Sequence, residues 1–206
     1  LISCDTSLGR DRDYSAFHVI NLYNGQQVPE FYSNKTAIND FAQIIANEGM
    51  LYNIAHVICE RNTIGNNLID WLYNIYEYEN LWSDEKGDIG FQVTAKNRES
   101  ILADMEEALR TDLIKINSTR TCDELMTFII TEGGKAQAEK NNHDDLIMSL
   151  ALAVHGYKHL LDTTPIEFVS KIPHKDTPLM PSRNYKANIK TAFGQMTKED
   201  YTWLMK

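Results

Sequence analysis

The sequence predicts an α/β fold, with a mixed sheet of three antiparallel strands extended by parallel strands and flanked by helices. Three observations carry this. Residues 14–33 form two alternating runs around Asn24-Gly25, a strong hairpin signal. Ile54 to Cys59 is a continuous apolar run, typical of a strand buried on both faces of a parallel sheet. Between and after these runs, apolar residues recur at helical spacing, so strands and helices alternate.

Taken in order, Leu1 to Asp5 is a first strand, with Ile2 and Cys4 on one face. A polar loop leads to Tyr14–Tyr23, where Ala16, His18, Ile20 and Leu22 alternate with Phe17, Val19 and Asn21. Val28–Ser33 returns as the third strand of a meander. Ile38, Phe41, Ile44 and Ile45 trace a helix over 36–50, closed by Glu48-Gly49. The apolar run from Ile54 then ends at Glu60. A second helix follows, with Ile64, Leu68, Trp71, Leu72 and Ile75 inward. Residues 82–90 read as a polar loop, 97–112 as a helix and Leu113–Ile116 as a short strand. Thr121-Cys122-Asp123-Glu124 matches a capping box before a helix bearing Leu125, Phe128 and Ile129. Gly133-Gly134 leads a polar strand over 135–139. Asn142 caps a last helix reaching Leu161, with Leu146, Ile147, Leu150, Ala151 and Val154 as its stripe.

The chain's 206 residues and 43% hydrophobic content suit one substantial core, read as a domain over 1–161. Four of the five prolines follow Leu161, so 162–206 reads as an irregular tail with one short helix near 197–205. No apolar run approaches the roughly 18 residues of a membrane span, and nothing resembles a signal peptide. Three separated cysteines make neither a disulfide framework nor a zinc pattern, which points to a reducing cytosol. Cys4 and Cys59 adjoin acids, but alternation turns them to the opposite face, as core. A net charge of −9 argues against gripping nucleic acid by bulk electrostatics, while leaving room for a local basic stripe.

The chemistry lies in separated acids. Asp5 and Glu60 each end a strand, and a right-handed crossover places those strands side by side. Open α/β sheets put their sites at such carboxyl ends. Asp144 and Asp145 open the last helix, which needs only to start at that edge. Alone, each has a plain structural role: Asp5 as a turn residue, Asp144-Asp145 as a complement to a helix dipole. Together they suit hard cations such as Mg²⁺ or Mn²⁺, which prefer carboxylate oxygens. Two such ions about 4 Å apart can activate a water and stabilise a leaving oxygen in phosphodiester hydrolysis. Asp5 would bridge both ions, with Glu60 and Asp144 flanking and Asp145 as ligand or support. His143 can orient a carboxylate or simply face solvent. Asn62, Thr63, Gly65 and Asn66 suit a substrate loop or a helix start equally. Arg10, Arg12, Arg61, Lys115, Arg120, Lys135 and Lys140 flank the acids in sequence and include candidates for phosphate contact.

Asp5 in CDTSLGRDRDYSAFHVI, Glu60 in HVICERNTIGNNL and the Asp pair in NNHDDLIMSLALA resemble the nuclease domain of tailed-phage terminase large subunits over about residues 1–161. The resemblance implies an RNase H-like fold, catalytic Asp5, Glu60 and Asp144, a supporting acid at Asp13, and metal-dependent cutting of concatemeric double-stranded DNA in the host cytoplasm. It also implies an N-terminal ATPase motor, a portal and a small terminase subunit as partners. No Walker A pattern (GxxxxGK[ST]) occurs here, which suits a domain cut from a longer protein. An RNase H-like resolvase or integrase differs in substrate more than in chemistry. An actin- or sugar-kinase-like nucleotide-binding domain would need a second glycine-rich phosphate loop, for which only Gly133-Gly134 is available. A docking module with structural acids is the non-catalytic rival.

Overall fold

The computed structural model describes residues 1–9, 13–131 and 135–163. Arg10, Arg12, Gly133-Gly134 and the tail from residue 164 lie outside them. The elements are β1 (Ile2–Asp5), β2 (Ser15–Ile20), β3 (Gln27–Ser33), α1 (Ile38–Leu51), β4 (Val57–Cys59), α2 (Thr63–Asp70), α3 (Ala95–Arg110), α4 (Thr119–Met126), β5 (Phe128–Ile130), β6 (Ala136–Ala138) and α5 (Asp145–Thr163). The main sheet runs β3-β2-β1-β4. β1 is antiparallel to β2 and parallel to β4, in the register Cys4 opposite Cys59. The mixed sheet of the sequence reading is therefore present, with β1 and β4 adjacent.

Alternation sorts the strand side chains onto two helical layers. Ile2, Cys4, Phe17, Val19, Val57 and Cys59 pack with Phe41, Ala42 and Ile45 of α1 and Leu68 of α2. Ile20 and Ile58 face the other way, against α3 and α5. Helix α5 is buried along residues 146–154 because the sheet takes one side and α3 another. The Ser149 hydroxyl donates to the Ser3 carbonyl at 2.9 Å, fixing α5 against the centre of β1. Lys158 pairs with Asp104 at 2.8 Å and Glu107 at 3.1 Å, tying α5 to α3 at the surface.

Several expectations are corrected. Ile75 is 59% exposed, because Trp71–Ile75 forms a π-helical turn closed by the Tyr76 N–H to the Trp71 carbonyl. One extra residue in a turn rotates all that follow away from the α-helical face. The apolar run at Ile54 is not all strand. Asn53 and Ile54 have positive φ, and pairing begins only at Val57. Residues 82–90 are a loop, as read, but a pinned one: Leu81 and Phe91 at its two ends bridge Val57 of β4 and Glu60 just beyond it. Leu113–Ile116 makes one bridge, Lys115 to Gln26, rather than a strand. Phe128 and Ile129 leave α4 and pair with β6 in a hairpin. Over so short a run, helical spacing and a strand cannot be told apart. Ser118, not Thr121, caps α4, accepting from the Thr121 N–H at 3.0 Å.

A buried polar network anchors this layer. Gln27 donates to His18 Nδ1 at 2.7 Å, so His18 Nε2–H donates to the Leu146 carbonyl at 3.1 Å. Gln27 Oε1 accepts from the N–H groups of Asn117 and Ser118. β2, β3, the segment before α4 and the first turn of α5 are thus held as one body.

Glu48, on the inner side of α1, carries an unpartnered buried Oε2. Burial pushes its carboxyl up to about 7. The folded state therefore keeps a proton that the unfolded chain loses near pH 4.5, so this group costs stability as pH rises from 4.5 through 7. Glu48→Gln is expected to stabilise the domain by about 2 kcal/mol at pH 8, and by nothing near pH 4.5. Urea unfolding of both proteins at the two pH values checks this; an equal gain at both would contradict it.

Candidate metal centre

Three elements deliver the acids. Asp5 closes β1, and the Glu60 N–H donates to the Cys4 carbonyl at 3.1 Å, so both carboxylates leave neighbouring parallel strands together. Each lies one residue beyond a cysteine that points to the α1 face, so both acids take the α5 face. The two side chains share a hydrogen bond. Asn62 holds the chain just past Glu60, accepting from the N–H groups of Ile64 and Gly65 at 3.0 and 2.7 Å. Asn62 is thus the N-cap of α2, and Thr63 and Gly65 lie in its first turn. That favours the helix-start reading of this stretch.

The start of α5 supplies the other acids. The Asp144 carbonyl accepts the Met148 N–H at 2.8 Å, which puts Asp144, not Asn142, at the cap position. The Leu146 N–H is taken from outside the helix, by Glu124 Oε1 of α4 at 3.0 Å. His143 stands 3.6 Å from Asp145 and edge-on to Tyr14, whose ring stacks on Tyr32 at 4.0 Å. His143 therefore faces a carboxylate. Asp13 adds its negative charge to the surroundings of Asp145.

Among the described residues, positive charge is scarce beside these acids. Burial, then the charges of Glu60 and Asp145, raise the Asp5 carboxyl well above the carboxylate range. Glu60 is raised mainly by burial. Burial and the charge of Asp145 push Glu124 up to about 8. Asp145 rises to about 6, again chiefly by burial. The nearby cation is Arg98 of α3, 2.7 Å from Asp144. Arg61 faces elsewhere, paired with Asp84 at 3.1 Å and Asp88 at 2.9 Å, so it is not Glu60's partner. Lys135 and Lys140 are exposed on the β5–β6 hairpin and the turn after it. Arg120 lies over Tyr32 and beside Glu30, and Lys115 is held through its backbone.

Asp5, Glu60, Asp144 and Asp145 are thus brought to one edge of the fold. Among the described residues, no three His, Cys, Asp or Glu side chains stand as a ready-made coordination group. The donor chemistry nonetheless fits a hard divalent cation, since it is all carboxylate oxygen. Buried like charges that share protons are also what such a cation would relieve. Glu124 and Arg98 were missed in the sequence. Glu124 was absorbed by the capping-box pattern. Arg98 did leave a trace, since with Lys96 it puts cations near the start of a helix, against the dipole.

A mixed four-stranded sheet with helices on both faces gives the chain an α/β fold of the RNase H-like class. Within that class the fold is similar to the large terminase nuclease from thermophilic phage G20c with bound magnesium: 21% identity and TM-score 0.62, covering 75% of this chain and 79% of that one. It is similar too to the large terminase nuclease domain of Thermus phage P74-26, at 22% identity and TM-score 0.61, covering 76% of this chain and 78% of that one. The cobalt-bound form of the G20c nuclease matches at 21% identity and TM-score 0.62, over 75% and 79% of the two chains. No family model matches the sequence. At these identities it is the fold that is shared.

Proposed function

We propose that this domain is a divalent-metal-dependent endonuclease that hydrolyses phosphodiester bonds of double-stranded DNA during viral genome packaging. The observation that supports it most is the meeting of Asp5 and Glu60, from adjacent parallel strands, with Asp144 and Asp145 at the start of α5. Terminase nucleases of the same fold include forms with bound magnesium, cobalt and zinc, which supports an ion-binding reading here.

On this reading Asp5 would bridge two Mg²⁺ or Mn²⁺ ions, Glu60 and Asp144 would flank them, and Asp145 would ligate or support. Bound ions of this kind lower the pKa of a water and neutralise the leaving oxygen. The chain supplies placement. β1 and β4 set the spacing of Asp5 and Glu60, Glu124 holds the first turn of α5, and His143 orients Asp145. Asp13 supports the same edge. DNA contact falls to local basic side chains, Lys135 and Lys140 among those described. Residues 1–161 would form the nuclease domain, working behind an ATPase motor with a portal and a small subunit, inside the host cell. No helix among the described residues is long and apolar enough to cross a membrane.

Incubation with supercoiled plasmid tests the reading. Nicking and linearisation are expected with Mg²⁺ or Mn²⁺, with little sequence preference, and should stop in excess EDTA. Cutting that continues undiminished in EDTA would refute metal dependence.

A further inference from the structure

We propose that Arg98 is a built-in counter-cation of the acid cluster, holding Asp144 in a salt bridge that an incoming divalent ion must displace. The inference rests on the metal-site reading above. Arg98 Nη2 donates to Asp144 Oδ2 at 2.7 Å, and Nη1 donates to the Ala136 carbonyl of β6 at 2.6 Å. Its charge also acts on Glu60. One planar fork therefore binds Asp144 and the backbone of the hairpin, while its charge reaches Glu60.

A guanidinium keeps its charge at any working pH, so it can leave the cluster only by moving. While it stays, an arriving divalent ion meets a fixed positive charge and an Asp144 oxygen already engaged. Both effects weaken ion binding. Arg98 would also ease the repulsion of Asp144 and Glu60 before any ion arrives. An orienting partner, by contrast, raises the affinity of the ligand it holds. The sign of the change on removing Arg98 separates the two roles, and a merely structural arginine predicts no gain in affinity at all.

Manganese binding should be measured by calorimetry, with free Mn²⁺ read by electron paramagnetic resonance, for the parent, Arg98→Gln, Arg98→Lys and Asp144→Asn. Arg98→Gln is expected to bind Mn²⁺ about tenfold more tightly, since a full charge leaves a partly screened site. Without metal it should melt lower than the parent, and Mn²⁺ should raise its melting temperature by more. Arg98→Lys keeps the charge but cannot make both bonds, and should bind about threefold more tightly. Asp144→Asn should weaken binding at least about tenfold. If Asp144→Asn weakens binding while neither Arg98 variant tightens it, the counter-cation role is wrong and the metal site stands. If Asp144→Asn binds like the parent, the metal-site reading fails and this proposal fails with it.

Discussion

Asp5→Asn is expected to cut supercoiled DNA at least about a thousandfold more slowly than the parent, equivalent to about 4 kcal/mol of transition-state stabilisation. The same variant should melt higher in the absence of metal. The two effects share one cause. Asp5 is a half-buried carboxyl beside the charges of Glu60 and Asp145, and burial and those charges together raise it well above the usual carboxylate range. Asparagine keeps the shape and can donate to Glu60, but brings no charge. The relief should raise the metal-free melting temperature by about 4 °C, a gain of roughly 1 kcal/mol. Glu60→Gln and Asp144→Asn should also lose cutting. Asp144→Asn gives up the salt bridge to Arg98, however, so its metal-free melting temperature should not rise. Nicking rates and thermal melts in EDTA check all three. A parental rate for Asp5→Asn, or a sharp fall in its melting temperature, would make Asp5 a structural residue.

The parts of the fold that were legible in the sequence are those where burial follows a regular period. The alternation in β2 and β3, the turn at Asn24-Gly25 and the apolar run into Cys59 each reflect a strand covered on one or both faces. What was hidden depends on contacts distant in sequence. Leu113–Ile116 reads as a strand but makes only one bridge, Lys115 to Gln26, and Phe128 has neighbours that suit a helix as well as a hairpin. No local pattern announces that a π-turn will rotate Ile75 to solvent. The site divides in the same way. Asp5, Glu60 and Asp144-Asp145 stand out because each ends or begins an apolar element. Glu124 and Arg98 take their meaning from the start of α5 packing back onto α4 and α3, at separations of 22 and 46 residues. Arg61 misled for the complementary reason: its sequence neighbour is Glu60, but its spatial neighbours are Asp84 and Asp88.

Gly65→Ala should damage the domain although it replaces a poor helix former with the best. In an open helix this change gains about 1 kcal/mol. Here a Cβ at residue 65 would lie 1.8 Å from the Glu60 carbonyl oxygen and 3.0 Å from its carbon, both backbone atoms that cannot swing aside. Forced overpacking of this kind costs about 1–3 kcal/mol, so the gain in propensity is cancelled or exceeded. The displaced atoms belong to Glu60 itself, and shifts near 1 Å at a reacting centre cost about a hundredfold in rate. We therefore expect Gly65→Ala to lose about 1–2 kcal/mol in urea unfolding and about a hundredfold in plasmid nicking. Gly87→Ala is the control. It has positive φ but no atom within 4 Å of the added carbon, so it should lose a little stability and keep its cutting rate. Equal nicking by Gly65→Ala and Gly87→Ala would mean that α2 does not set the position of Glu60.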